Sequence, residues 1–184
     1  MSDPIEALVA QQLALLGEDM QREGLLSTPR RVARALRDLT AGYASNPADL
    51  IKSAIFESPT DDVILVRDVR FYSLCEHHLL PFFGRCDVAY LPAGQMVGLS
   101  KIPRVIDAFS HRLQVQERLT RQIADCLQTT LNPRGVAVVV RARHLCMEMR
   151  GVEKQDSETV TSCMVGEFRD NPRTRAELMA LLGG

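Results

Sequence analysis

Cys75, Glu76, His77 and His78 stand side by side, a thiol, a carboxylate and two imidazoles in a chain that has only four histidines. Thiolate sulfur and imidazole nitrogen are donors that Zn²⁺ takes, and imidazole is also the side chain that titrates near neutral pH. The quartet therefore points to a metal site, a proton-transfer site or both. Cys75 and His78, three residues apart, can chelate one ion from a tight bend, but a third donor must come from elsewhere. The stretch "HLCMEMR", residues 144 to 150, offers it. Read as a strand, it points His144, Cys146, Glu148 and Arg150 one way and Leu145, Met147 and Met149 toward the core, because side chains at i and i+2 share a face. Two thiolates and one imidazole, Cys75, His78 and Cys146, would make a neutral three-ligand zinc site whose open fourth position takes water, the arrangement of a catalytic centre. A fourth protein ligand, His77 or His144, would make it structural, and spacing leaves both arrangements open. Outside the ligand set, His77 and His144 are the acid–base candidates. His111, beside Arg112 at a helix end, reads as an ordinary exposed residue. Cys86, Cys126 and Cys163 read as buried apolar thiols.

A second constellation suits an anion. "GLSKIPR" puts Ser100 at an N-cap with Lys101 and Arg104 three apart, so a helix N-terminus and two cations are expected to face one point, a cradle for phosphate. Arg150 adds a third cation, about 13 Å from Cys146 along an extended strand at about 3.3 Å per residue. That separation suits a substrate that reacts at one end and carries phosphates at the other.

The elements that must position these groups lie in a chain of 184 residues, enough for one core. Lys plus Arg is 22 and Asp plus Glu is 23, so no net basic charge argues for nucleic acid and any anion site is local. No stretch approaches the roughly 18 apolar residues of a membrane span, and the acidic, helically spaced start is not a signal peptide, so a cytoplasmic protein is expected. Five cysteines, an odd number, fit reduced thiols there.

Ile5, Leu8, Val9, Leu13 and Leu16 recur at helical spacing up to Gly17. A second helix starts at Ser27 or Thr28, with Pro29 near N1 and Val32, Leu36, Leu39 and Tyr43 on one face; Arg30, Arg31, Arg34 and Arg37 lie off it. Residues 1–60 thus read as a helical segment. Residues 62–74 and 82–91 read as strands, with the Cys–His cluster at the bend between them. Two helices follow, in "IPRVIDAFSHRL" and "QERLTRQIADCLQTTL", then two more strands and a closing helix in "NPRTRAELMALL". Residues 61–184 are therefore an α+β unit: a four-stranded antiparallel sheet, in the order strand, strand, helix, helix, strand, strand, with two helices on one face. Its exposed edges predict pairing between subunits into a ring, hence a homo-oligomer.

Taken together, "CEHH", "VGLSKIPR", "LQVQERLT" and "HLCMEMRGV" occur in the order in which they occur in GTP cyclohydrolase I, and residues 28–180 resemble that family. The resemblance implies its tunnelling fold, with Cys75, His78 and Cys146 holding Zn²⁺ and a zinc-bound water attacking C8 of GTP. It makes His77 and His144 the proton carriers, with Ser100 and His144 assisting ribose opening after formate leaves, on the way to 7,8-dihydroneopterin triphosphate, the entry to tetrahydrofolate and pterin synthesis. It implies that Glu117 accepts the paired N–H donors of guanine and that Gln116 contacts a nearby edge or the ribose. Lys101, Arg104 and Arg150, with Arg31 and Arg34, would meet the triphosphate. The family's sites form between subunits of a double ring of ten, which agrees with the edge-strand expectation. A nitrile reductase of the same fold, using NADPH and a nucleophilic cysteine, would leave the Cys–His–Cys set and the phosphate cradle unexplained. A noncatalytic zinc-stabilised ring would hold the same metal without releasing formate.

Overall fold

The structure, a computed structural model, describes residues 3–183. The chain divides into two compact units, Met1–Ala41 and Gly42–Gly184. The first ends before the residue-60 boundary read from the sequence. In it, α1 (Pro4–Leu15) starts with Pro4 and with the Asp3 carboxylate accepting from the Ile5 amide at 3.0 Å. α2 (Thr28–Leu39) packs on α1, and its Arg37 donates to Asp3 at 3.0 and 3.1 Å. Ser27 stands at the N-cap of α2 but its side chain makes no capping bond.

The second unit runs α3 (Pro47–Lys52), β1 (Ile55–Glu57), β2 (Ile64–Cys75), β3 (Pro81–Leu91), β4 (Gln95–Val97), α4 (Lys101–Ser110), β5 (Leu113–Gln114), α5 (Gln116–Leu131), β6 (Gly135–His144), α6 (Leu145–Glu148), β7 (Thr159–Gly166), α7 (Glu167–Asp170) and α8 (Pro172–Gly183). The expected four strands are present as an antiparallel set, β2-β3-β6-β7. A short fifth strand, β5, extends the sheet by pairing parallel to the end of β2, Leu74 opposite Leu113 and Cys75 opposite Gln114. β1 and β4 form a separate two-stranded ribbon.

Period-two alternation divides β6 between two cores. Val136, Val138, Val140 and Ala142 face Val105, Ile106, Leu119, Ile123 and Leu127 of α4 and α5 in the main core. Ala137, on the other face, joins Ala89, Leu91, Phe168 and Leu178 under α7 and α8. The closing helix therefore covers one end of the face opposite α4 and α5, where the sequence reading had helices on one face only.

Register positions the site. Leu74 pairs with Pro81 across the β2–β3 hairpin, and Phe82 pairs with His144 across β3–β6. The end of β2, the start of β3 and the end of β6 thus meet at one edge, where β5 also delivers the first turn of α5. Gly84 of β3 lies opposite Ala142 of β6, and a Cβ there would collide with the Arg141 carbonyl and the Ala142 Cα of the neighbouring strand. Backbone cannot swing aside as a side-chain tip can, so Gly84→Ala is expected to lower unfolding free energy by about 1–3 kcal/mol or more. Urea unfolding of the variant checks this, and an unchanged midpoint would contradict the packing.

Candidate metal centre and active site

The bend after β2 is held by its own backbone. The Cys75 amide donates to the Leu80 carbonyl at 2.9 Å, while the His78 and Leu79 amides return to the Cys75 carbonyl at 3.4 and 2.8 Å. Closing so tight a loop puts Leu79 at φ 56°, a left-handed conformation costing a branched side chain about 1–2 kcal/mol. The Glu76 amide is tied to the Gln114 carbonyl at 3.1 Å and its carboxylate to Arg118 of α5.

Cys146 does not sit on a strand. The ladder of β6 stops at His144 and the next four residues form the helical turn α6, closed by the Met149 amide on the Leu145 carbonyl at 3.1 Å. The reason is loss of partners: β3 begins at Pro81, and β7 pairs with β6 no further than Ala142. Backbone groups beyond that point bond within their own segment. The expected two-sided strand is thereby corrected. Met147 and Met149, read as core, are 36% and 62% exposed. Arg150 is also nearer to Cys146 than the extended estimate, since a helical turn rises only about 1.5 Å per residue. Its charge acts on the Cys146 thiol.

The ligand atoms of Cys75, His78 and Cys146 all lie within 4.8 Å of one another, the two cysteines buried and the histidine exposed. Burial first, then the adjacent Cys75, push the Cys146 thiol above its ordinary value, as expected where two sulfurs share a small space. Two sulfurs and a ring nitrogen fit Zn²⁺ or a similarly thiophilic ion and do not fit Mg²⁺ or Ca²⁺, which take oxygen. Neither His77 nor His144 belongs to this cluster, so among the described residues it has three members. His77 is exposed, with Nδ1 3.9 Å from the Cys75 sulfur.

His144 is held from three sides. Its ring stacks on Phe82, centroids 4.7 Å apart and planes 1° from parallel. Its Nε2 lies 2.7 Å from Oε1 of Gln116. The amide nitrogen of Gln116 donates to the carbonyls of Val140 at 3.1 Å and Thr159 at 2.9 Å and to Thr161 Oγ1 at 3.1 Å, so the amide can be oriented only one way. An acceptor therefore faces Nε2, which must carry the hydrogen, leaving Nδ1 as the nitrogen that exchanges a proton. Burial pulls the His144 pKa down, opposed by the charges of Glu117 and Glu148. Gln116 is 1% exposed, and its side-chain amide is engaged within the chain with His144, Val140, Thr159 and Thr161. Gln116→Leu is expected to release the tautomer, giving ¹⁵N shifts of His144 averaged between both forms; a pure Nε2–H spectrum would contradict this arrangement.

Glu117 is exposed at the start of α5, and its charge acts on His144. Ser100 occupies the N-cap position of α4, exposed and without a capping bond. The amides of Lys101 and Ile102 donate to the Gly98 and Leu99 carbonyls at 2.8 and 3.3 Å, and Pro103 has none. Anion attraction at this turn thus rests on the side chains of Lys101, half-buried, and Arg104, exposed, more than on helix amides. Arg31 and Arg34 are exposed on α2 in the first unit. His111 is half-buried at the C-cap of α4, not exposed as read from the sequence. Cys86 is fully buried, which pushes its thiol up, whereas Cys126 and Cys163 are only partly covered.

An α+β domain that brings two thiols, an imidazole and a tautomer-fixed histidine to one sheet edge has the parts of a metal-assisted hydrolase. Comparison with known proteins narrows this. The family model for GTP cyclohydrolase I matches residues 5–183, and the chain belongs to that family. It is 56% identical over 182 residues to GTP cyclohydrolase 1 of Chlorobium chlorochromatii, covering 99% of this chain and 82% of that one. It is 54% identical over 183 residues to GTP cyclohydrolase 1 of Methylococcus capsulatus, covering 100% of this chain and 99% of that one. The archaeosine synthase QueF-Like structure covers 60% of this chain at a TM-score of 0.47 and 19% identity. Among the described residues no helix is long and apolar enough to cross a membrane.

Proposed function

We propose that the chain opens the imidazole ring of GTP by hydrolysis at C8, releases formate and forms 7,8-dihydroneopterin triphosphate, with Zn²⁺ held by Cys75, His78 and Cys146. The observation that carries this reading is the convergence of those three ligand atoms within 4.8 Å in a member of this family. When bound there, zinc supplies Lewis acidity that brings the pKa of a water near 7.

The chain's own groups supply the rest. Glu117 accepts from guanine N1–H and the 2-amino group, a pair of donors that adenine lacks. Lys101, Arg104 and Arg150 meet the triphosphate, with Arg31 and Arg34 as further contacts. His144 takes or delivers a proton at Nδ1, because Gln116 holds its other nitrogen; the stack on Phe82 keeps the ring from turning. His77 is the second proton carrier, and Ser100 with His144 assists ribose opening. The fold reading is the tunnelling fold, assembled as a ring, in double rings of ten subunits with sites between subunits. The two-residue edge strand β5 and the eight-residue edge strand β7 leave backbone groups for such pairing. The cytoplasm is the expected compartment.

Supplied with GTP alone, the purified zinc-loaded protein is expected to yield formate and a dihydropterin chromophore in equal amounts. NADPH consumption with a deazapurine nitrile in place of formate, or stoichiometric zinc with no formate, would overturn the reading.

A further inference from the structure

The turn that carries Cys146 lies beyond the sheet ladder, and its backbone bonds run from Met149 to Leu145 within the turn and from Lys154 to Met147. One contact stands out. Glu148, two residues on, is 8% exposed and receives both arms of Arg143, Nε at 2.8 Å on one carboxylate oxygen and Nη2 at 2.7 Å on the other. Arg143 belongs to β6, where it pairs with Phe83 of β3, so its backbone is fixed by the ladder. The same guanidinium reaches Asp156 at 3.3 Å, in the exposed segment that also contains Arg150. A planar fork that meets a carboxylate with two parallel bonds fixes direction as well as distance, which a lysine or a single bond does not. Side chain, ladder and turn thus form a closed loop around the Cys146 position.

We infer that Arg143 and Glu148 are positioning residues for the metal site: their two-armed pair locks the α6 turn so that the Cys146 sulfur is held toward Cys75 and His78. The inference rests on the metal reading above and extends it to residues that touch neither metal nor substrate. It explains why a carboxylate is buried in a methionine-flanked turn, "CMEM", that lies beyond the sheet ladder. The bend bearing Cys75 and His78 has a parallel tie, Glu76 to Arg118 of α5, so each ligand segment is fastened by a carboxylate beside its ligands to an arginine on a rigid element.

The test is metal affinity, measured by competition of the intact protein with a chromophoric chelator for Zn²⁺ and for Co²⁺, whose thiolate charge-transfer band reports the sulfurs directly. Glu148→Ala and Arg143→Ala are each expected to raise the dissociation constant about 10- to 100-fold, the usual consequence of losing a support behind a ligand. Glu148→Gln, which keeps one acceptor oxygen, is expected to give a smaller rise. Arg85→Ala, which breaks the pair with Asp68 at 3.3 Å elsewhere on the sheet, should leave affinity unchanged. Should an alanine variant fail to fold, Glu148→Gln and Arg143→Lys decide the matter by the same measurement. Affinity in folded Arg143 and Glu148 variants equal to that of the unaltered chain would overturn the inference. Absence of tight Zn²⁺ or Co²⁺ binding by the unaltered chain would instead overturn the metal reading beneath it.

Discussion

Replacing Cys146 by alanine is expected to reduce bound zinc from about one per chain to less than a tenth, and to lower GTP-dependent formate release by at least about 10⁴-fold. Of three donors within 4.8 Å it removes one of the two sulfurs, leaving a two-point chelate of Cys75 and His78 on one bend. Two ligands do not complete a zinc site. The rate follows the metal, because water at pKa about 15.7 rather than about 7 supplies roughly 10⁸ times less hydroxide at neutral pH, a deficit that its greater basicity offsets only in part. The fold should survive, since Cys146 lies at the rim of the main core and the turn is secured by its own backbone bond and by Arg143. Metal analysis, formate assay and circular dichroism on one preparation check all three statements. A Cys146→Ala protein with full activity after chelator treatment would show that the ligand set is wrong.

The second large effect is expected from Glu117→Gln, with a different signature. A carboxylate can accept both guanine donors; glutamine offers one acceptor and turns an N–H toward the other donor. Hydrogen bonds to charged groups contribute about 1.5–3 kcal/mol each, and an unpaired buried donor adds a penalty, so kcat/KM for GTP should fall by about 10²- to 10⁴-fold. Zinc content should be unchanged, because Glu117 lies outside the ligand cluster. The charge of Glu117 also acts on His144, so the pH profile is informative. Without that negative charge the His144 imidazolium is less favoured and its pKa falls, moving the limb assigned to His144 toward lower pH. Steady-state kinetics across pH measures both effects. A kcat/KM within about threefold of the unaltered enzyme would exclude Glu117 from guanine recognition.

What the sequence made legible, and what it did not, divides along physical lines. The pair Cys75 and His78 was readable because a bend is local: the donors are three positions apart, and the bonds that close the bend lie between residues 75 and 80. Cys146 was readable as a candidate donor beside Cys75 and His78 but not as a turn residue. The alternating polar and apolar positions of "HLCMEM" match a strand, and only the absence of partners beyond His144, fixed by where β3 and β7 begin, decides against it. Ser100 was placed at the right position, yet the 3₁₀-like turn of Gly98 and Leu99 onto Lys101 and Ile102 already occupies those amides. Gln116 looked like a polar residue opening a helix. Its burial, and its bonds to Val140, Thr159 and Thr161, depend on β6 and β7 arriving from more than 20 residues away. The role of Glu148 was hidden for the same reason, although an acidic residue between two methionines five positions after an arginine was a usable signal. The face covered by α8 depended on which side of the sheet the chain crossed after β7, and residue type did not settle that.

The central claim is that two sulfurs and one imidazole hold zinc and leave a position open for solvent. X-ray absorption at the zinc edge of the assembled, substrate-free protein measures this directly. The account predicts two sulfur scatterers at about 2.3 Å and two nitrogen or oxygen scatterers near 2.0 Å, only one of them with the multiple-scattering pattern of imidazole. Two imidazoles beside the two sulfurs, or a shell without sulfur, would contradict it.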